Sequence, residues 1–402
     1  MANHRLSTRV LIISHSYFMR DTRPRRHAQA FVDAGWEVDV LCARDEGEPK
    51  REQVAGVNVR RLPARRRRGS KGRYAFEYAS FGAMALGAVS TMHLRRRYHV
   101  VYVFGIPNLI VRSTLVPHLV GTRIILDMRD PLPEFFQSRY GFPDDHRAVR
   151  ALLLEERISC RYATHVLTVI DAMRDLFLRS VAPDKITVVR NAPDPRLFGQ
   201  TGGLPARDPA DRTLLYAGTV AERYGVDQIV RAVAKLKDAI PGIRARIVGD
   251  GDLVPKLRAI ARESGIDDRV TFDGPVPLDA MPGINASAWV GAQPHRADPL
   301  MRYSFSTKLL EWGSLGLPVI TSATESVVRE FSDDEMMLVP PGDLDSFCER
   351  ILQADRDPEG LARRGERGRA AAARFDWNAE RERLLSTVSG IQPRREAGRA
   401  GL

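Results

Sequence analysis

HRADPLMRYSFSTKLLEWGSLGLPVITS, residues 295–322, passes within one short span from a polar loop to a helix start, then through a glycine turn into an apolar strand. Ser306 is a good N-cap, so the backbone N–H groups of Thr307 and Lys308 point out of the helix start. A helix N-terminus that also carries a lysine suits a phosphate, because the dipole and the ammonium act together. Glu311, about one turn on, shares a face with Thr307 and Lys308 and is placed to accept hydrogen bonds from a ribose or sugar hydroxyl. The competing reading is a surface helix with an ordinary Lys–Glu pair. The rest of the chain decides between them.

Outward from that stretch, strands and helices alternate. Val10 to Ser14 reads as a buried strand, Arg23 to Ala34 as a helix closed by Gly35, and Trp36 to Leu41 as the next strand. Such a strand–helix–strand unit predicts a parallel sheet. Further strands are expected at 100–103, 123–127, 165–169 and 185–189. Residues 200–211 (QTGGLPARDPAD) lack periodicity and read as a linker. A second series then starts with a strand at 213–217, a helix at 226–236 and a strand at 245–248. The expected organisation is an N-terminal domain over 1–199, the linker 200–211, a second domain over 212–375 and a C-terminal helix with a frayed tail over 376–402. Two doubly wound α/β halves imply a cleft, with ligands at the carboxyl ends of the strands.

Composition narrows the class. The chain has 402 residues, 44% of them hydrophobic and 28% charged, the balance of a globular protein of two domains. Cys42, Cys160 and Cys348 form no metal or disulfide pattern, which fits a reducing cytoplasm. No signal peptide is read at the start, and no apolar run approaches the roughly 18–20 residues of a membrane span. The formal net charge is +11. Arg60, Arg61, Arg65, Arg66, Arg67, Arg68, Lys71 and Arg73 cluster, and a stretch with Tyr74, Phe76, Phe81, Met84, Ala85 and Leu86 follows, ending in Arg95, Arg96 and Arg97. Aromatic residues at one end and arginines at both suit an anionic membrane surface. A solvated loop followed by a core helix is the plainer alternative. Nucleic acid is not expected, because no recognisable binding module accompanies the arginines.

Two glycine-bounded loops follow strands of the second half. Gly218-Thr219-Val220-Ala221-Glu222-Arg223-Tyr224-Gly225 can bring its backbone close to an anion, with Arg223 as a phosphate clamp. Gly249-Asp250-Gly251 is expected to allow close approach of a planar or charged ligand, and for both loops a plain turn is the alternative reading. In order, YAGTVAERYGVDQIVRA, RIVGDGDLVPKL and STKLLEWGSLGLPVI resemble the donor-binding domain of family-4 retaining glycosyltransferases of the GT-B fold. Asp21-Thr22-Arg23, LDMRDPLPE at 126–134 and ITVVRNAPDPRLF at 186–198 extend the resemblance to the first half. It is nearest to bacterial enzymes of exopolysaccharide, O-antigen or glycolipid synthesis.

The resemblance implies sugar transfer from a UDP- or GDP-sugar to a glycan acceptor, lipid-linked at the inner leaflet, by a cytoplasmic enzyme peripheral to the membrane. Glu311 matches the glutamate that holds the donor ribose, and Lys308 a lysine of one subgroup. Gly218, Thr219, Arg223, Gly249, Asp250, Tyr303, Ser306 and Thr307 complete the implied donor site. Thr219 and Tyr224 stand where cations are usual. Tyr303 stands where the family has a glutamate, with Asp298 as a substitute. Asp21 and Arg23 are the implied acceptor-binding residues. Arg129 replaces a histidine of relatives and is expected to stabilise the leaving phosphate, while Asp130 or Asp127 orients the acceptor hydroxyl. An N-cap aspartate before Pro131 is the plainer reading of Asp130. No cofactor or metal is implied. The alternatives are a nucleotide-sugar 2-epimerase and a catalytically impaired sugar-nucleotide-binding subunit.

Overall fold

A computed structural model describes residues 7–64, 71–199 and 207–391. Arg65, Arg66, Arg67 and Arg68, the side chains of Lys71, Arg73 and Tyr74, linker residues 200–206 and the tail 392–402 lie outside the described residues. The chain divides into two compact units: unit 1 comprises 1–190 with 378–402, and unit 2 comprises 191–377. Residues 191–199, expected in the first domain, therefore pack in the second, where Phe198 joins the core around Leu215 and Leu309.

In unit 1 the strands are β1 (Arg9–Tyr17), β2 (Glu37–Ala43), β3 (Arg51–Val54), β4 (Val57–Leu62), β5 (Val100–Gly105), β6 (Arg123–Met128), β7 (His165–Thr168) and β8 (Ile186–Val188). They form one sheet in the order β3-β4-β2-β1-β5-β6-β7-β8. Every pairing is parallel except β3 with β4. The uninterrupted apolar runs of β1 and β5 suit strands covered on both faces. The β3–β4 hairpin corrects the reading of Arg61 as part of the basic surface cluster. Arg61 is buried and pairs with Glu48 at 3.1 Å and Glu52 at 2.7 Å.

The helix Lys71–Arg96 is likewise not a free interfacial helix, because Phe81, Ala85 and Val89 lie in the core. Phe76 and Leu94 on it remain 72% and 71% exposed. Among the described residues no helix is long and apolar enough to cross a membrane.

In unit 2, β9 (Arg212–Ala217), β10 (Ile243–Val248), β11 (Val270–Gly274), β12 (Val290–Gln293), β13 (Val319–Ser322) and β14 (Met337–Val339) lie in the order β11-β10-β9-β12-β13-β14. The order reverses between β9 and β12, so their carboxyl ends form a topological switch point, the place where doubly wound sheets bind ligands. The stretch from Leu344 to Gly390 folds as three helices, Leu344–Arg356, Pro358–Ala372 and Trp377–Gly390. Asp357-Pro358 and Asp376 interrupt it.

Candidate functional site

Three loops and one helix start meet at the switch point of unit 2. After β9, the Gly218 N–H donates to Val248 O at 2.9 Å and the Val220 N–H to Asp250 O at 3.0 Å. A Cβ added to Gly249 would lie 1.9 Å from Gly218 O, and one on Gly225 (φ +64°) 1.8 Å from Pro294 O. Those glycines are therefore required by backbone packed on backbone. The close approach expected between the 249–251 glycines and a ligand is an approach between loops. Asp250 is exposed and accepts from the Gly251 N–H at 2.8 Å. Thr219 is exposed, its carbonyl accepting from Tyr216 Oη at 2.6 Å.

The segment after β12 is fastened to the same loop. The Arg296 N–H donates to Arg223 O at 3.1 Å, Arg296 Nε to Glu222 O at 3.2 Å, and its Nη2 pairs with Asp227 at 2.6 Å. Arg223 is half-buried, its guanidinium 5.3 Å from the centre of the Tyr224 ring. Sequence reasoning missed His295: it is 2% exposed, 5.7 Å from the Tyr224 ring, and neither ring nitrogen has a hydrogen-bond partner. Burial pushes its pKa down to about 4, so the ring is neutral. Nothing in the sequence around Pro294 marks that burial.

Ser306 is the N-cap of the helix Thr307–Ser314, as expected, and its Oγ accepts from the Lys308 N–H at 3.3 Å. Gln293, another residue the sequence did not flag, donates to the same oxygen at 2.9 Å and so ties the cap to the end of β12. Below the cap, Trp312 is fully buried. The helix ends in a Schellman turn, Leu317 N–H to Trp312 O at 2.9 Å and Gly316 N–H to Gly313 O at 2.7 Å. Lys308 Nζ pairs with Glu311 Oε2 at 2.9 Å, and Glu311 is 7% exposed. The contact joins neighbours three apart on one helix face, so both groups point toward the same helix start. Tyr303 is half-buried beneath the Arg302 guanidinium, 5.3 Å away. Asp298 Oδ1 accepts from the Leu300 and Met301 N–H groups at 2.8 and 3.1 Å, which commits it to capping that turn.

In unit 1 the structure brings Asp21, Arg23, Asp127 and Arg129 together at the ends of β1 and β6. Arg23 Nε donates to both Asp127 oxygens, at 3.0 and 3.2 Å, and its Nη1 to Val189 O at 3.0 Å. Tyr102 Oη also donates to Asp127, at 2.5 Å, with His27 Nδ1 2.9 Å from the same hydroxyl. Asp127 is 0% exposed. Its expected contact with an acceptor, and that of Arg23, is therefore corrected to a buried ion pair that braces the sheet end. Desolvation first, then Arg23, Arg26 and Arg129, lower the His27 pKa and keep it neutral.

Arg129 Nη1 pairs with Asp21 at 2.8 Å. Burial draws its pKa down, but Asp21, Asp130 and Asp127 outweigh that, and the net shift is upward. Asp130 is half-buried, and Pro131 rather than Asp130 holds the cap position of the helix Leu132–Tyr140. Among the described residues no group of three or more His, Cys, Asp or Glu is placed to hold a metal ion.

Two doubly wound units, the second carrying a glycine-bounded loop beside a capped helix start, define the GT-B class of fold. Sucrose-phosphate synthase from Thermosynechococcus elongatus has this fold. It superposes with a TM-score of 0.77 at 18% identity, over 96% of this chain and 99% of that one. Residues 21–192 match the glycosyl transferase 4-like domain, and residues 211–357 match glycosyl transferases group 1. The chain belongs to the family-4 glycosyltransferases of the GT-B fold.

Among curated relatives, the chain is 27% identical over 179 residues to a GDP-mannose-dependent alpha-(1-6)-phosphatidylinositol monomannoside mannosyltransferase of Mycolicibacterium smegmatis. That match covers 44% of this chain and 47% of the relative. It is 27% identical over 277 residues to a D-inositol 3-phosphate glycosyltransferase of Thermomonospora curvata, covering 62% of each. The chain thus spans less than two thirds of the length of these relatives.

Proposed function

We propose that this protein transfers a sugar from a UDP- or GDP-sugar to a lipid-linked glycan acceptor, with retention of anomeric configuration, in cell-surface polysaccharide or glycolipid synthesis. The observation that carries this reading is the joined set of loops at the β9–β12 switch point, ending in the Ser306-capped helix start with Lys308 and Glu311. Glu311 would accept both ribose hydroxyls, releasing Lys308 to the diphosphate. Arg223, Lys308 and the N–H groups of Thr307 and Lys308 would neutralise that diphosphate as it leaves, without a metal. Gly218, Thr219, Gly249 and Asp250 would line the same donor site, with Tyr303 beside the transferred sugar.

In the reaction the bond from the anomeric carbon to the donor phosphate breaks, and a bond to the acceptor oxygen forms. The acceptor proton passes to the departing phosphate oxygen, so no protein nucleophile is needed. Among the unit 1 candidates, Asp130 is the carboxylate we assign to the acceptor hydroxyl. Arg129, held by Asp21, supplies positive charge at the same strand ends. The identity of the Mycolicibacterium relative supports a lipid-borne acceptor. Exposed Phe76 and Leu94, with the neighbouring arginines, support a peripheral place at an anionic inner membrane face. Tyr303 in place of a glutamate favours one second reading, a subunit that binds the donor without turnover.

The test is thermal melting with UDP, GDP, ADP and their sugars, for the wild type and Glu311→Ala. A ligand at about a hundred times its Kd adds roughly 2.7 kcal/mol. One nucleotide is expected to stabilise the wild type and not the variant. Equal stabilisation of both removes Glu311 from the site, and no stabilisation by any nucleotide removes the reading.

A further inference from the structure

Arg51 of β3 and Arg60 of β4 are direct register partners in the antiparallel hairpin, so both side chains leave the sheet on one face. Like charges in that arrangement weaken a strand pair. On that face the sheet edge and the last turns of the helix Lys71–Arg96 enclose an open groove of about 480 Å³. Its charged lining is Asp39, Arg51, Glu52, Arg60, Arg95 and Arg96. Both carboxylates are already hydrogen-bonded to other arginines. Asp39 accepts two bonds of 2.7 Å from Arg96 Nη1, one of 2.9 Å from Asn58 Nδ2, and another from Tyr98. Glu52 accepts from Arg61 Nη2 at 2.7 Å. Arg51, Arg60 and Arg95 have no acidic partner among the described residues.

Three guanidiniums without a carboxylate contact around one groove, two of them held opposite each other by strand register, suit an anion. The planar two-donor fork of arginine fits phosphate oxygens pairwise. We propose that this groove binds a phosphate group, carried either by a soluble phosphate ester or by the headgroup of an anionic lipid. It lies toward the amino-terminal ends of the parallel strands, where Asp39 of β2 pairs with Asn58 of β4. It is thus distinct from the strand ends that carry Asp21 and Arg129. The proposal does not rest on glycosyl transfer.

The experiment uses the full chain at constant ionic strength and follows its melting temperature with inorganic pyrophosphate at about 10 mM, in excess of a weak site. The wild type is expected to gain a few degrees. An Arg51→Gln/Arg60→Gln double variant should melt no lower than wild type without phosphate, because repulsion is relieved, and should lose at least half of the gain. Arg95→Gln, exposed on the helix, provides the same loss should the double variant fold poorly. Lys308→Ala, altered only in the donor site of unit 2, should leave this part of the gain in place, so failure of the donor reading is seen separately.

Cosedimentation with phosphatidylglycerol vesicles, against phosphatidylcholine, distinguishes the two sources. Weaker vesicle binding by the double variant assigns the lipid headgroup, and unchanged vesicle binding with a lost pyrophosphate response assigns a soluble ester. An absent wild-type gain, or an equal gain in both arginine variants, overturns the proposal.

Discussion

His295 and its neighbours show how much a single buried ring decides. Its pKa of about 4, against about 6.5 for an ordinary histidine, arises from burial, so on acidification the unfolded chain takes up the proton first. The stability that depends on the neutral ring is complete above about pH 6.5 and is lost as the pH falls toward 4, a change of the order of 3 kcal/mol. His27, whose pKa is also lowered by burial, adds a loss of the same sign. His295→Leu is therefore expected to narrow the difference in melting temperature between pH 7 and pH 5 without abolishing it. An unchanged difference would show that the ring is not desolvated in solution. Arg23 and Asp127 make the same point about distance: their pairing joins positions 104 residues apart. Read singly, each looks like a polar residue near a strand end and available to substrate.

The helix Thr307–Ser314 is an element whose ends are written into its sequence. Ser306 before it and Gly316 after it fix its limits, and Trp312 anchors it to the core. Ser306→Ala removes the cap and also the acceptor that Gln293 uses, so a loss of about 1 kcal/mol is expected in chemical denaturation. Donor affinity should fall more than this alone would suggest, because the free N–H groups lose their fixed aim. Affinity that tracks only the stability loss would argue against a phosphate at that helix start. The strands β1, β5, β9 and β10 were legible for a similar reason, as short apolar runs bounded by turn residues. The β3–β4 hairpin was not. Val57, Val59 and Arg61 alternate as a strand should, but the buried slot at Arg61 is filled by a charge whose partners, Glu48 and Glu52, lie outside that strand. Within the site, the glycines were legible as tight positions, but what approaches them was not, because only the fold places Gly249 against Gly218.

Across the whole molecule, unit 1 is completed by the last helix, Trp377–Gly390. Leu384 and Val388 are fully buried, Glu380 accepts from the Arg190 N–H at 2.9 Å, and Arg123 Nη1 donates to Val388 O at 3.3 Å. A chain ended at Trp377 is expected to lose hydrogen-exchange protection in β5 and β6 while β9 and β12 keep theirs. Equal protection in both units would mean that the helix is dispensable. The bond between Arg190 and Glu380 also has a consequence for how the protein is made. Unit 2 is one uninterrupted stretch, 191–377, and every residue of it leaves the ribosome before the piece that completes unit 1. During synthesis the later half of the gene product is therefore free to finish folding first. The earlier half waits, with the seat of its final helix uncovered, until the segment that follows Trp377 has been made.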